Sequence, residues 1–150
     1  MRALALLLLL VAAPASAQGV AEPREFADRA VRVLTDGRGA AFLDVIERES
    51  ALGEIAAGAQ FLRENRLAWV RQLDGFGLAV GWEYAGAVEA GPSLRRLCYL
   101  VRFRRAPLLV QFDFYRADRA WDMINALWVS GRDIFAAPCV ATRPRTEPAE

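Results

Sequence analysis

The chain has 150 residues, enough for one domain with a real core. Its 19 basic and 18 acidic residues leave a net charge of +1, without the basic excess of a dedicated nucleic-acid or anionic-membrane binder. Every basic residue is Arg, and the absence of His and Lys excludes Ser-His and Cys-His catalysis, imidazole metal ligands and Schiff-base chemistry.

Met1-Arg2 precedes an apolar run from Ala3 to Ala13, followed by Pro14-Ala15-Ser16-Ala17. One positive charge, a hydrophobic stretch and a small-x-small site have the layout of a secretory signal. The run is shorter than the roughly 20 residues of a spanning helix, and Pro14 breaks it. The expectation is a signal peptide over residues 1–17 and a mature chain that starts at Gln18 and works in the periplasm or after secretion. The alternative is an uncleaved anchor. No later segment is apolar enough to span a membrane, and losing Arg2 brings the net charge to zero.

Periodicity predicts helices first. The first runs from about Glu22 to Thr35, with Pro23 in its first turn and Phe26, Ala30, Val33 and Leu34 on one face. Asp36-Gly37 stops it. A second spans about Gly39 to Glu49 and packs through Phe42, Val45 and Ile46. Ser50 is positioned to cap a third, about Ala51 to Asn65, which Gly53 and Gly58 weaken.

From Leu67 the period changes to two. Phe76, Leu78, Val80, Trp82, Tyr84 and Val88 alternate with the small set Gly77, Ala79, Gly81, Ala85 and Ala87, interrupted by Glu83. After Gly91-Pro92, a strand places Leu97, Tyr99, Val101 and Phe103 on one face and Cys98, Leu100, Arg102 and Arg104 on the other. A turn at Arg105-Ala106 pairs Val101 with Val110 and Tyr99 with Phe112. A turn at Asp118-Arg119 pairs Phe114 with Met123 and Phe112 with Asn125. Apolar faces then coincide, apart from Asn125. The last strand runs from Ala120 to Val129. Ser130 starts a short helix to about Ala136, and Pro138 stops it.

Helices followed by antiparallel strands make an α+β domain, with N-terminal helices on a bent antiparallel sheet of about four strands and a short C-terminal helix. It occupies residues 18–140. Residues 141–150 are Pro-rich and charged and read as a disordered tail. Cys98 and Cys139 form an even pair in an oxidising compartment, a disulfide candidate that ties the last helix across the sheet; two separate buried thiols are the alternative. Two thiols alone close no zinc site, so no metal and no cofactor are expected.

The stretch Val110-Gln111-Phe112-Asp113-Phe114-Tyr115-Arg116, its polar turn, Trp121 and the closing Asp133-Ile134-Phe135 resemble small secreted bacterial members of the NTF2-like (cystatin-like) superfamily. The resemblance covers about Glu22 to Phe135. It implies helices packed across a strongly bent sheet, often around a conical pocket. That superfamily holds isomerases, dehydratases and non-enzymatic binding domains, so the fold leaves function open. Its enzymes often use a pocket carboxylate with a Tyr, or an Asp-His pair; the second is impossible here.

Alternation sends Asp113, Tyr115 and Asp122 to the outer face, as a solvated patch. The inner face offers Trp82, Tyr84, Tyr99, Phe112, Trp121 and Asn125 as an aromatic lining with a few donors, equally readable as a filled core. Arg95, Arg96, Arg102, Arg104 and Arg105 crowd one hairpin, as an anion or partner site or as a charged strand edge. No residue is assigned a catalytic role. The expected function is that of an exported, non-catalytic binding or interaction domain with a modest apolar pocket for a small apolar ligand, or a face for a protein partner or a homodimer. One alternative is an isomerase- or hydratase-type enzyme using Asp74 or Glu83. Another is a structural accessory of an envelope complex, working through the small face from Gly77 to Ala87.

Overall fold

In a computed structural model of the chain, residues 19–37 and 39–141 are described. The expected signal peptide, and the expected tail beyond Ala141, lie outside them.

Helix α1 (Pro23–Thr35) begins as its sequence suggests. Pro23 occupies the first turn, and the Glu22 carboxylate accepts from Arg24 N at 3.4 Å. Phe26, Ala27, Ala30, Val31 and Leu34 form its buried stripe. Helix α2 (Gly39–Arg48) buries Phe42, Leu43, Val45 and Ile46.

The third helical segment differs from expectation. Helix α3 is one turn, Ala51–Glu54, and Ile55 is extended. Helix α4 then runs over Ala56–Gly75, through the region from Leu67 where the sequence pattern predicts strands. Leu62, Trp69, Val70 and Leu73 keep helical spacing across that region and pack toward the core, so the period of 3.6 persists. Gly77, at φ 80°, turns the chain out of the helix. Ser50 does not cap α3; its hydroxyl donates to Ile46 O.

Strands β1 (Ala79–Ala90), β2 (Leu94–Phe103), β3 (Pro107–Tyr115) and β4 (Asp122–Ser130) form one antiparallel meander in sequence order. The expected α+β architecture, with N-terminal helices on the sheet, is the one observed. The main core lies between α1, α2 and the face bearing Leu97, Tyr99, Val101, Leu108, Val110, Phe112, Phe114 and Met123. A 3-10 helix (Gly131–Ala136) and α5 (Pro138–Ala141) close a second, smaller core on the other face.

Register differs in three places. Val101 pairs with Leu108 and Tyr99 with Val110, two residues from the expected pairing. An even shift keeps every side chain on its expected face, so hydrophobic pattern alone does not distinguish the two. Bulges near Ala79/Gly81 and Tyr84/Gly86 break the alternation of β1. Ala79 therefore packs in the main core, while Val80 is 56% exposed and Val88 joins the second core. The small residues from Gly77 to Ala87 consequently form no single face. A third bulge, between Asp113 and Phe114, retains the Phe114–Met123 pair but sets Asn125 opposite Asp113 and Ala126 opposite Phe112.

Candidate functional site

Trp82, Tyr84, Tyr99 and Phe112 do meet on the helix-covered face. Ring centroids are 5.6 Å apart for Trp82–Tyr99, 5.5 Å for Tyr84–Tyr99 and 6.0 Å for Tyr99–Phe112. Phe112 continues edge-on to Phe26 of α1 and Phe42 of α2. Tyr99 and Phe112 are fully buried, and the group packs as core.

Its polar partner comes from α1. Tyr99 Oη donates to Asp28 Oδ1 at 2.6 Å, and Arg24 Nε donates to the same oxygen at 2.9 Å. The Arg24 guanidinium stacks 3.6 Å from the Tyr84 centroid. Burial pushes the Tyr99 phenol well above its ordinary pKa, and the hydrogen bond to Asp28 adds to that shift. Reading α1 as a simple amphipathic helix places Asp28 on the solvent side. Only the packing angle of α1 on β2 brings it over Tyr99, a relation between residues 71 apart in sequence.

Asn125 does not line this face. The third bulge turns it outward, where its Nδ2 donates to Asp113 Oδ2 at 3.2 Å. Asp113 also receives both nitrogens of Arg96, at 2.6 and 2.8 Å. That bidentate pair raises the Arg96 pKa. Tyr115 stands opposite Asp122 and is exposed, in keeping with an outer polar patch. Asp74 and Glu83, the acids considered for catalysis, are both exposed, and Glu83 lines a groove on the outer face.

Trp121 belongs to the same core but makes none of these ring contacts. Its backbone bridges Val20, and Arg95 and Arg116 lie 5.1 and 4.6 Å from its ring. It lines a cleft of about 370 Å³ with Val20, Glu25, Phe26, Arg29 and Met123. Arg29 is paired there with Glu49. The arginine-rich hairpin is dispersed: Arg95 binds Glu89, Arg96 binds Asp113, Arg105 donates to Gly75 O, and Arg102 and Arg104 are exposed.

The apolar concavity is on the outer face. A groove of about 270 Å³ lies between the sheet and the C-terminal turns, lined by Ala85, Leu100, Pro107, Leu109, Ile134 and Val140 together with Glu83, Tyr84 and Gly131. Phe135, also lining it, is 77% exposed. Beside it, Cys98 and Cys139 stand at disulfide distance, with Cα atoms 6.2 Å apart. This link anchors α5 to β2. A Cβ on Gly86 would come within 3.2 Å of Cys139 O, so a glycine at the second bulge lets the C-terminal turn approach β1. The alternating small and large residues of β1 hide this groove from sequence reading, because bulges decide which of them face it.

Among the described residues, no group of three or more Cys, Asp or Glu side chains is arranged to hold a metal ion. No described helix is long and apolar enough to cross a membrane. No family model matches this sequence, and no curated protein or solved structure matches it either. Fold and sites therefore define a helix-covered antiparallel meander with an apolar groove on its uncovered side.

Proposed function

We propose that this chain is an exported, non-catalytic binding domain of the NTF2-like type, and that its groove beneath the 3-10 helix holds a small, mostly apolar molecule. The observation that carries this reading is the groove's mostly apolar lining, seven apolar side chains, exposed Phe135 among them, beside Glu83 and Tyr84. The Cys98–Cys139 pair supports an oxidising location, and the signal-like N-terminus supports export. The family assignment rests on helices packed across an antiparallel meander and on the Phe112-to-Trp121 stretch.

Native mass spectrometry of protein purified from its exported compartment tests the reading. The expected result is a folded species with extra mass that leaves on denaturation. Ala85→Phe, which fills the groove, removes that mass. A bare mass, together with an apolar fluorescent probe that binds wild type and Ala85→Phe alike, overturns the proposal.

A second reading, an isomerase- or hydratase-type enzyme, is favoured by one observation. Glu83, a carboxylate considered for catalysis, lines the same groove. On this reading Glu83→Gln abolishes turnover and leaves ligand mass unchanged.

A further inference from the structure

Helix α4 is 20 residues long, and among them only Leu62 and Leu73 are buried. Its inner side rests on α2 and α3, where Arg66 binds Asp44 at 2.6 Å. The opposite side is exposed along its length. It carries Ala57, Gln60, Glu64, Leu67, Ala68, Arg71 and Gly75, which helical spacing places on one stripe, with Leu67 and Ala68 side by side at its middle. Leu67, at its centre, is 62% exposed. Charges flank it one turn away on each side: Glu64 before, Arg71 after. Glu64 accepts from Gln60 at 2.7 Å, and Arg71 makes no ion pair among the described residues.

We propose that this stripe is the seam of a homodimer in which two α4 helices pack antiparallel about Leu67. Self-complementarity singles out a second copy as the occupant. A two-fold axis at Leu67 and Ala68 sets Glu64 of each copy opposite Arg71 of the other, so the attraction is made twice. The same count places Gln60 opposite Gly75. Ala57, Ala68 and Gly75 are small and let the helices close, while Leu67 fills the centre. Arg63 and Asp74, exposed on one flank of the stripe, fall within a turn of opposing each other in the same arrangement. A parallel, in-register pair would instead oppose Glu64 to Glu64 and Arg71 to Arg71, which is repulsive. One helix pair buries less than the roughly 1,600 Å² of a standard interface, so the dimer is weak and forms at high protein concentration.

Sedimentation equilibrium from the micromolar into the millimolar range tests this on the full mature chain. Wild type is expected to dimerise. Glu64→Arg and Arg71→Glu, each on the exposed side and each expected to keep the wild-type circular dichroism, should weaken association by about tenfold or more. The double variant, with the two charges exchanged, should dimerise like wild type. Mixing the two single variants should restore association as a heterodimer, because both seam arginines of one variant then face the seam glutamates of the other. Wild type that stays monomeric into the millimolar range overturns the proposal. So does a dimer indifferent to both reversals, which would place the contact on the free edges of β1 or β4. Ligand binding in the outer groove is read separately, and neither outcome here alters it.

Discussion

The hydroxyl of Tyr99 reaches Asp28 Oδ1 at 2.6 Å, joining the middle of β2 to the first helix through the aromatic core. Tyr99 is buried, and the pKa of its phenol is raised by that burial and by the carboxylate it faces. A raised folded-state pKa stabilises the fold fully below the unfolded value and progressively less as pH rises through the folded one. Unfolded tyrosine ionises near about 10, so stability should fall as pH climbs past that point. Tyr99→Phe should cost about 1 kcal/mol at neutral pH and flatten the alkaline decline. Urea unfolding of both proteins between neutral and strongly alkaline pH checks this.

The link between Cys98 and Cys139 closes a loop of 41 residues and holds the C-terminal turns on the second core. Its removal should destabilise the domain by about 2–4 kcal/mol. The comparison is of unfolding midpoints for wild type and a Cys98→Ser, Cys139→Ser double variant. Thiol titration of the protein purified without reductant should find no free sulfhydryl.

Gly53 and Gly58 would ordinarily be stabilised by replacement with Ala, since helix propensity favours Ala by about 1 kcal/mol. Here the sign reverses. A Cβ at Gly53 would overlap the Glu47 carbonyl oxygen, and one at Gly58 the Leu52 carbonyl oxygen. Both contacts are with backbone, which cannot rotate aside. Gly53→Ala and Gly58→Ala should each lower stability by about 1–3 kcal/mol, read from thermal unfolding.

Gln111 is 4% exposed, and its Oε1 has no hydrogen-bond partner among the described residues. A buried acceptor left unpaired forfeits its hydration without return. Gln111→Met keeps the length of the side chain and removes that acceptor. Stability should rise by about 1 kcal/mol, and an unchanged or lowered midpoint in urea would show that the amide is satisfied.

Local pattern alone established a good part of this molecule. Pro23, the apolar spacing of α1 and α2, and the alternation of β2 and β3 each act within one element, and each appears in the structure as read. Parity made the two cysteines a disulfide candidate, and the structure brings them to disulfide distance. Helix α4 is not legible beyond Leu67, because half-buried Trp69 and Val70 satisfy a strand pattern as well as a helical one over a short window. The candidate site was less legible. Three bulges decide where Val80, Val88 and Asn125 point, and one inserted residue reverses a strand's faces without any strong local signal. Asp28 meets Tyr99 only through the docking of α1 on the sheet, and the outer groove exists only because the C-terminal turns fold back onto Cys98. Outside residues 67–75, element type was settled by short-range periodicity, whereas the site was settled by long-range packing, which places side chains that no local pattern relates.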